Sequence, residues 1–124
     1  MTQVLQEWLK RSEEDWQIAS LLIQSDLDSY GSICFHAQQC IEKLMKALLI
    51  QAEVVPPYSH DLSTLDRMLS SSYPNWQINT QDLAFLTQYA VAARYPGLEV
   101  DRKDALDCIS KCAKLRSTAL TFLQ

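Results

Sequence analysis

The sequence predicts an all-α domain, an up-and-down four-helix bundle with one additional short helix. Apolar residues recur at helical spacing along four long stretches. Only two glycines and four prolines occur in 124 residues, and the prolines fall where those stretches end or in the connections. A chain of this length supports one hydrophobic core, so residues 1–124 are read as a single domain.

The first helix is expected from about Val4 to Ser25. Val4, Leu5, Trp8, Trp16, Ala19, Leu22 and Ile23 form its apolar stripe, and Lys10, Glu13, Glu14, Gln17 and Gln24 face water. Asp15 breaks the stripe between the directions of Ala19 and Leu22, where a carboxylate needs a partner. A short polar connection, residues 26–32, leads into the stretch around which the chain is organised, Ile33–Leu49. There Ile33, Cys34, Ala37, Cys40, Ile41, Leu44, Met45, Ala47 and Leu48 share a broad apolar face, wide enough to make this helix central. His36, Gln39, Glu42, Lys43 and Lys46 fall on the opposite side, with Phe35, Leu49 and Ile50 among them, so a second surface is covered there too.

This second helix should end near Glu53, because Pro56 and Pro57 cannot continue it. A short helix from Ser59 or His60 to about Leu69 places Leu62, Leu65 and Leu69 together, and a polar loop with Tyr73, Pro74 and Trp76 follows. Thr80 is the expected N-cap of the next helix, Gln81 to about Arg94. Its two sides are both apolar, Leu83, Leu86, Ala90 and Ala93 against Phe85, Tyr89 and Ala92, and the second side is assigned to a neighbouring subunit. Pro96 and Gly97 make the turn, and Asp101 caps a last helix to about Phe122.

The net charge of −4 and pI near 5 exclude a general nucleic-acid coat, which needs clustered Lys and Arg. Apolar runs of only a few residues exclude a membrane span. The polar start, without a basic region and apolar core, is read as cytoplasmic. Cys34, Cys40, Cys108 and Cys112 all lie on apolar helical faces, and neither pair has the tight turn spacing of structural zinc. They are read as reduced core residues, in a setting that disfavours disulfides. No phosphate-binding glycine loop, nucleophile elbow or zinc-protease pattern occurs, so no cofactor or metal is expected and no catalytic residue is assigned.

Asp15, Arg94 and Arg116 interrupt the apolar pattern, and the simplest expectation pairs Asp15 with one or both arginines. Such a network either ties three helices together or leaves an arginine free for phosphate, to which its planar fork is suited. His36 is read as a solvated neighbour of Gln39 and Lys43, and His60 as a cap or a contact for Tyr58.

Four segments then carry a resemblance: Asp15-Trp16 with Ala19 and Leu22; Cys34-Phe35-His36-Ala37-Gln38-Gln39-Cys40-Ile41-Glu42-Lys43-Leu44-Met45-Lys46-Ala47-Leu48-Leu49; Ser59-His60-Asp61-Leu62 with Leu65; and Ala93-Arg94-Tyr95-Pro96-Gly97. Together they resemble the HEPN domain of the minimal type associated with MNT nucleotidyltransferases, over nearly the whole chain. The resemblance implies a bundle that forms a homodimer, partners an MNT-type nucleotidyltransferase in a toxin–antitoxin-like pair, and binds nucleotide or RNA phosphate. It places Arg94 and Tyr95 in a polar groove, Asp15 orienting Arg94, and Gln39, Glu42 and Lys43 on the rim. Many members are metal-independent ribonucleases with a histidine four to six residues after the arginine. Here no histidine follows His60, so the resemblance is to a non-catalytic module. The alternatives are an endoribonuclease toxin in which His36 or His60 replaces the missing imidazole, and a purely structural interaction domain.

Overall fold

In the computed structural model, which describes residues 2–124, five helices follow in order: α1 (Gln3–Ile23), α2 (Tyr30–Gln51), α3 (Leu62–Ser72), α4 (Thr80–Ala92) and α5 (Arg102–Leu120). Local chemistry starts four of them. The side chains of Thr2, Asp61, Asn79 and Asp101 each accept a hydrogen bond from a first-turn N–H, of Leu5, Ser63, Asp82 and Asp104 respectively. Asp104 reaches back to the Asp101 N–H at 3.1 Å and completes a capping box. Asn79, one residue before the expected Thr80, caps α4, because an amide oxygen in extended backbone reaches the Asp82 N–H at 3.0 Å. Asp61 rather than Ser59 or His60 caps α3; the Ser63 hydroxyl and N–H bonded to its carboxylate hold its pKa below the usual value.

Helix α2 is the axis. It packs against each of the other four helices, and 14 of its 22 residues are buried, more than one face can hold. Ile33, Ile41, Leu44, Met45, Leu48 and Leu49 are fully enclosed by Leu62, Leu65 and Leu69 of α3, Leu86 of α4 and Leu115 of α5. Glu53, in the left-handed region at φ 62°, reverses the chain after α2, and the Val54 N–H bonds the Leu49 carbonyl at 2.9 Å.

The second apolar side of α4 differs from expectation. Phe85 and Tyr89 stack at 4.5 Å, the Lys111 ammonium of α5 lies 4.7 Å from the Phe85 ring centroid, and Asp104 of α5 faces the Tyr89 hydroxyl. Helix α4 is apolar all round because α2 and α5 flank it within the same chain. Its pattern therefore needs no second subunit.

At the opposite end of α2, the Tyr73 hydroxyl donates to the Leu48 carbonyl at 2.6 Å and accepts from Gln51 Nε2 at 3.0 Å. Gln51 also donates to the Phe122 carbonyl at 2.8 Å, so one amide ties α2 to the segments after α3 and α5. Burial raises the Tyr73 pKa above that of a free phenol. A raised folded-state value means that this contribution is complete below about pH 10 and is lost as pH climbs through the folded value. Urea midpoints measured from pH 9 to 11 should fall more steeply for the wild type than for Tyr73→Phe.

Candidate functional site

Two carboxylates lie inside the protein, one from the apolar stripe of α1 and one from the polar side of α2. Asp15 of α1 is 5% exposed and Glu42 of α2 is 3% exposed. An ion in such a place costs several kcal/mol unless paired and hydrogen-bonded. Each is met in the same way, by one histidine and one lysine. Asp15 Oδ1 contacts His36 Nδ1 at 2.7 Å and its Oδ2 accepts from Lys43 Nζ at 2.7 Å. Glu42 contacts His60 Nδ1 at 3.0 Å and accepts from Lys46 Nζ at 3.2 Å. Gln38 and Gln39 complete the second cluster, with Nε2 to Glu42 Oε1 distances of 3.2 and 3.4 Å, and Gln38 also donates to the His60 carbonyl at 3.2 Å.

Several expected placements are thereby corrected. Asp15 does not orient Arg94: both its oxygens are taken by residues of α2, which lies directly against α1. Arg116 pairs instead with Glu13 and stacks on Trp16. Gln39 and Glu42 are enclosed rather than on a rim, because Trp8 of α1, over the Lys46 ammonium, and the His60 loop cover that side of α2. Lys43 is half-buried on Asp15, and His36, expected to be solvated, is held as its other partner. The i, i+4 pairing of Lys46 with Glu42 is as expected.

Arg94 and Tyr95 follow α4 in a turn and are exposed. The Arg94 guanidinium makes no ion pair among the described residues and rests 5.3 Å from the Phe35 ring centroid. Phe35 in turn meets the His36 ring edge-on at 5.3 Å. Arg94, Phe35, His36, Asp15 and Lys43 thus form a continuous row. A groove of about 360 Å³ opens at its Arg94 end, lined by Gly31, Ser32, Phe35, Ala93 and Arg94. The start of α2 forms one wall. Ser29 makes no side-chain cap bond, and the first intrahelical bond is from the Ile33 N–H, so three N–H groups point out of the helix end. Gly31 permits the close approach: a Cβ there would stand 3.3 Å from Ala93 Cβ. Free N–H groups, the positive end of a helix and an unpaired guanidinium suit a phosphate. A second cavity, between α3 and α4, is lined by Asp61 and Asp66 and would repel one.

Comparison with known proteins agrees with this reading of the fold. The model of the HEPN domain matches residues 5–121. The chain belongs to the HEPN family. Two solved structures share the HEPN fold seen here: TT1696 from Thermus thermophilus, with a TM-score of 0.79 at 20% identity over 98% of this chain and 100% of that one, and ST0689, described as an archaeal HEPN homologue, with a TM-score of 0.66 at 23% identity over 99% of this chain and 100% of that one. A relative from Methanocaldococcus jannaschii, named "Putative toxin MJ1304", is 42% identical over 43 residues. The match spans 35% of this chain and 27% of that relative's length. Among the described residues of this HEPN domain no helix is long and apolar enough to cross a membrane, and no group of three or more His, Cys, Asp or Glu is placed to hold a metal ion.

The row from Arg94 to Lys43 left two traces in the sequence, Asp15 and Arg94 as charges interrupting the apolar pattern, but the expected pairing joined Asp15 to an arginine. The partner was a histidine already read as surface. Breaking the second cluster gives the clearest test of how these ions are held. Glu42→Ala leaves the Lys46 ammonium enclosed without a counter-ion, and about 3–5 kcal/mol of stability should be lost. Replacing Glu42 and Lys46 together by Leu and Met should recover most of it, as measured by urea unfolding.

Proposed function

We propose that this HEPN domain is the phosphate-binding member of a toxin–antitoxin-type pair. It holds a nucleotide or RNA phosphate in the groove at Arg94 and works as a homodimer with an MNT-type nucleotidyltransferase in the cytoplasm. One observation carries the reading. The unpaired Arg94 guanidinium lies across a 360 Å³ groove from the uncapped start of α2. Tyr95, 59% exposed beside it, offers a ring and a hydroxyl to the ligand. The toxin name of the M. jannaschii relative and the family match support the setting.

The Asp15–His36 pair favours a second reading, metal-independent RNA cleavage. With the carboxylate on Nδ1, that nitrogen carries the proton and Nε2 is left for a substrate. There it would take the proton of a ribose 2′-hydroxyl as its oxygen attacks phosphorus, with Arg94 on the phosphate and the 5′-oxygen leaving.

Titration of a fluorescent adenine nucleotide and a short RNA, with chelator present, separates these readings. Arg94→Ala should weaken binding by about 10- to 100-fold, the worth of a charge-assisted contact, while the thermal midpoint stays within a few degrees because the side chain is exposed. Unchanged binding by a folded Arg94→Ala protein would show that the groove is not the site. RNA cleavage by the wild type that is lost in His36→Ala would replace the binding module with the nuclease.

A further inference from the structure

The loop between α2 and α3 holds apolar side chains out in water. Residues 54–61 contain no helical turn, and the run Val54-Val55-Pro56-Pro57-Tyr58 carries no charge. Each proline fixes its own φ at about −65° and drives the residue before it into extended backbone, so Val55 and Pro56 are locked straight. Both ends of the loop are fastened to α2. The Val54 N–H donates to the Leu49 carbonyl at 2.9 Å, and Gln38 Nε2 donates to the His60 carbonyl at 3.2 Å. His60 Nδ1 also lies 3.0 Å from the buried Glu42 carboxylate. Held in this way, the loop leaves Val55 85% exposed and Tyr58 wholly exposed, without cover from its own chain.

A second apolar feature lies on the same side of the protein. Val4 and Trp8 belong by spacing to the apolar stripe of α1, yet the fold leaves Val4 55% exposed and Trp8 half-buried. With Glu7 and Arg11, which pair at 3.0 Å, they line a groove of about 200 Å³ along one face of α1. A cavity of about 150 Å³ accepts benzene, so this groove has room for a phenol ring. Its walls suit one, because an indole stacks on such a ring and a guanidinium lies over its face. Short contacts join the groove to the loop. Lys46 Nζ is 5.5 Å from the Trp8 ring centroid and 3.2 Å from Glu42, and Glu42 meets His60, close after Tyr58 in the chain.

We propose that Tyr58 of one copy of this chain fills the Val4–Trp8 groove of a second copy, and the reverse, in a two-fold dimer. Such a dimer sets one patch against itself, so a protruding group and its receptor must lie side by side on one face, as these do. The prolines lower the cost of association, because the loop is already held in the shape in which it docks. This interface rests on the homodimer reading above and gives it a surface. It also leaves the phosphate groove open. Phe35, under Arg94, and Lys46, under Trp8, stand about 16 Å apart along α2 at about 1.5 Å per residue.

Sedimentation of the full chain over a range of micromolar concentrations tests the interface. Tyr58→Ser removes a side chain that its own fold does not cover. Val4→Asp puts a charge into the groove at a first-turn position of α1, where a carboxylate favours the helix. Both variants should melt close to the wild type. The expected result is a wild-type dimer whose dissociation constant rises about 10-fold or more in each variant. Nucleotide binding by Tyr58→Ser should be unchanged. In a mixture of isotope-labelled and unlabelled wild type, filtered NOEs should join Tyr58 ring protons of one copy to Trp8 indole protons of another, a readout that needs no variant. A dimer that survives either substitution, or that lacks those NOEs, overturns the interface and leaves the homodimer reading standing. A wild type that is monomeric throughout overturns both.

Discussion

Burial of charge on one side of α2 is the constraint on which the rest of this HEPN domain depends. A central helix with neighbours all round has no free face for polar residues, yet α2 carries Gln38, Gln39, Glu42 and Lys46 inside the protein. Each fully buried leucine contributes only about 1.5–3 kcal/mol, so one unpaired carboxylate would cancel one or two of them. The packing of α1 and of the loop before α3 is therefore fixed by where Asp15 must meet His36 and Lys43, and where His60 must meet Glu42. These contacts join residues 18 to 28 positions apart, and they specify register as well as stability.

The same constraint positions the candidate site. His36 is held by Asp15, Phe35 precedes it on α2, and Arg94 rests on Phe35. The exposed guanidinium is thus aimed by a stack of rings rooted in a buried ion pair, not by a carboxylate of its own. That leaves its charge without an ion-pair partner among the described residues, beside the open end of α2. The arrangement at Glu42 repeats the chemistry at Asp15, but its histidine emerges from the loop before α3 and stands largely exposed.

Much of the fold was legible because its signals are local. Helical apolar spacing, Pro56, Pro57 and Pro96, and the Asp101 cap placed all five helices to within a few residues of the observed ends. The centrality of α2 followed from the width of its apolar face. The pairing of Asp15 was not legible. Periodicity shows which direction a residue faces on its own helix, but not which helix lies opposite, and an arginine was the more obvious partner for an out-of-place carboxylate. The same limit misassigned Phe85 and Tyr89, since an apolar face reads alike whether α5 or a second subunit covers it. Arg94 stood out as a charge interrupting the apolar pattern, but Tyr95 was found only through a motif, because nothing in the spacing marks an exposed turn as a site.

The central claim is that the groove between the start of α2 and Arg94 receives phosphate. Backbone amide shifts of the ¹⁵N-labelled protein, followed as a 5′-nucleotide is added, test it most directly. The account predicts that the largest shifts fall on Gly31, Ser32 and Arg94, residues lining that groove. Shifts confined to the cavity between α3 and α4, or none at millimolar nucleotide, would contradict it.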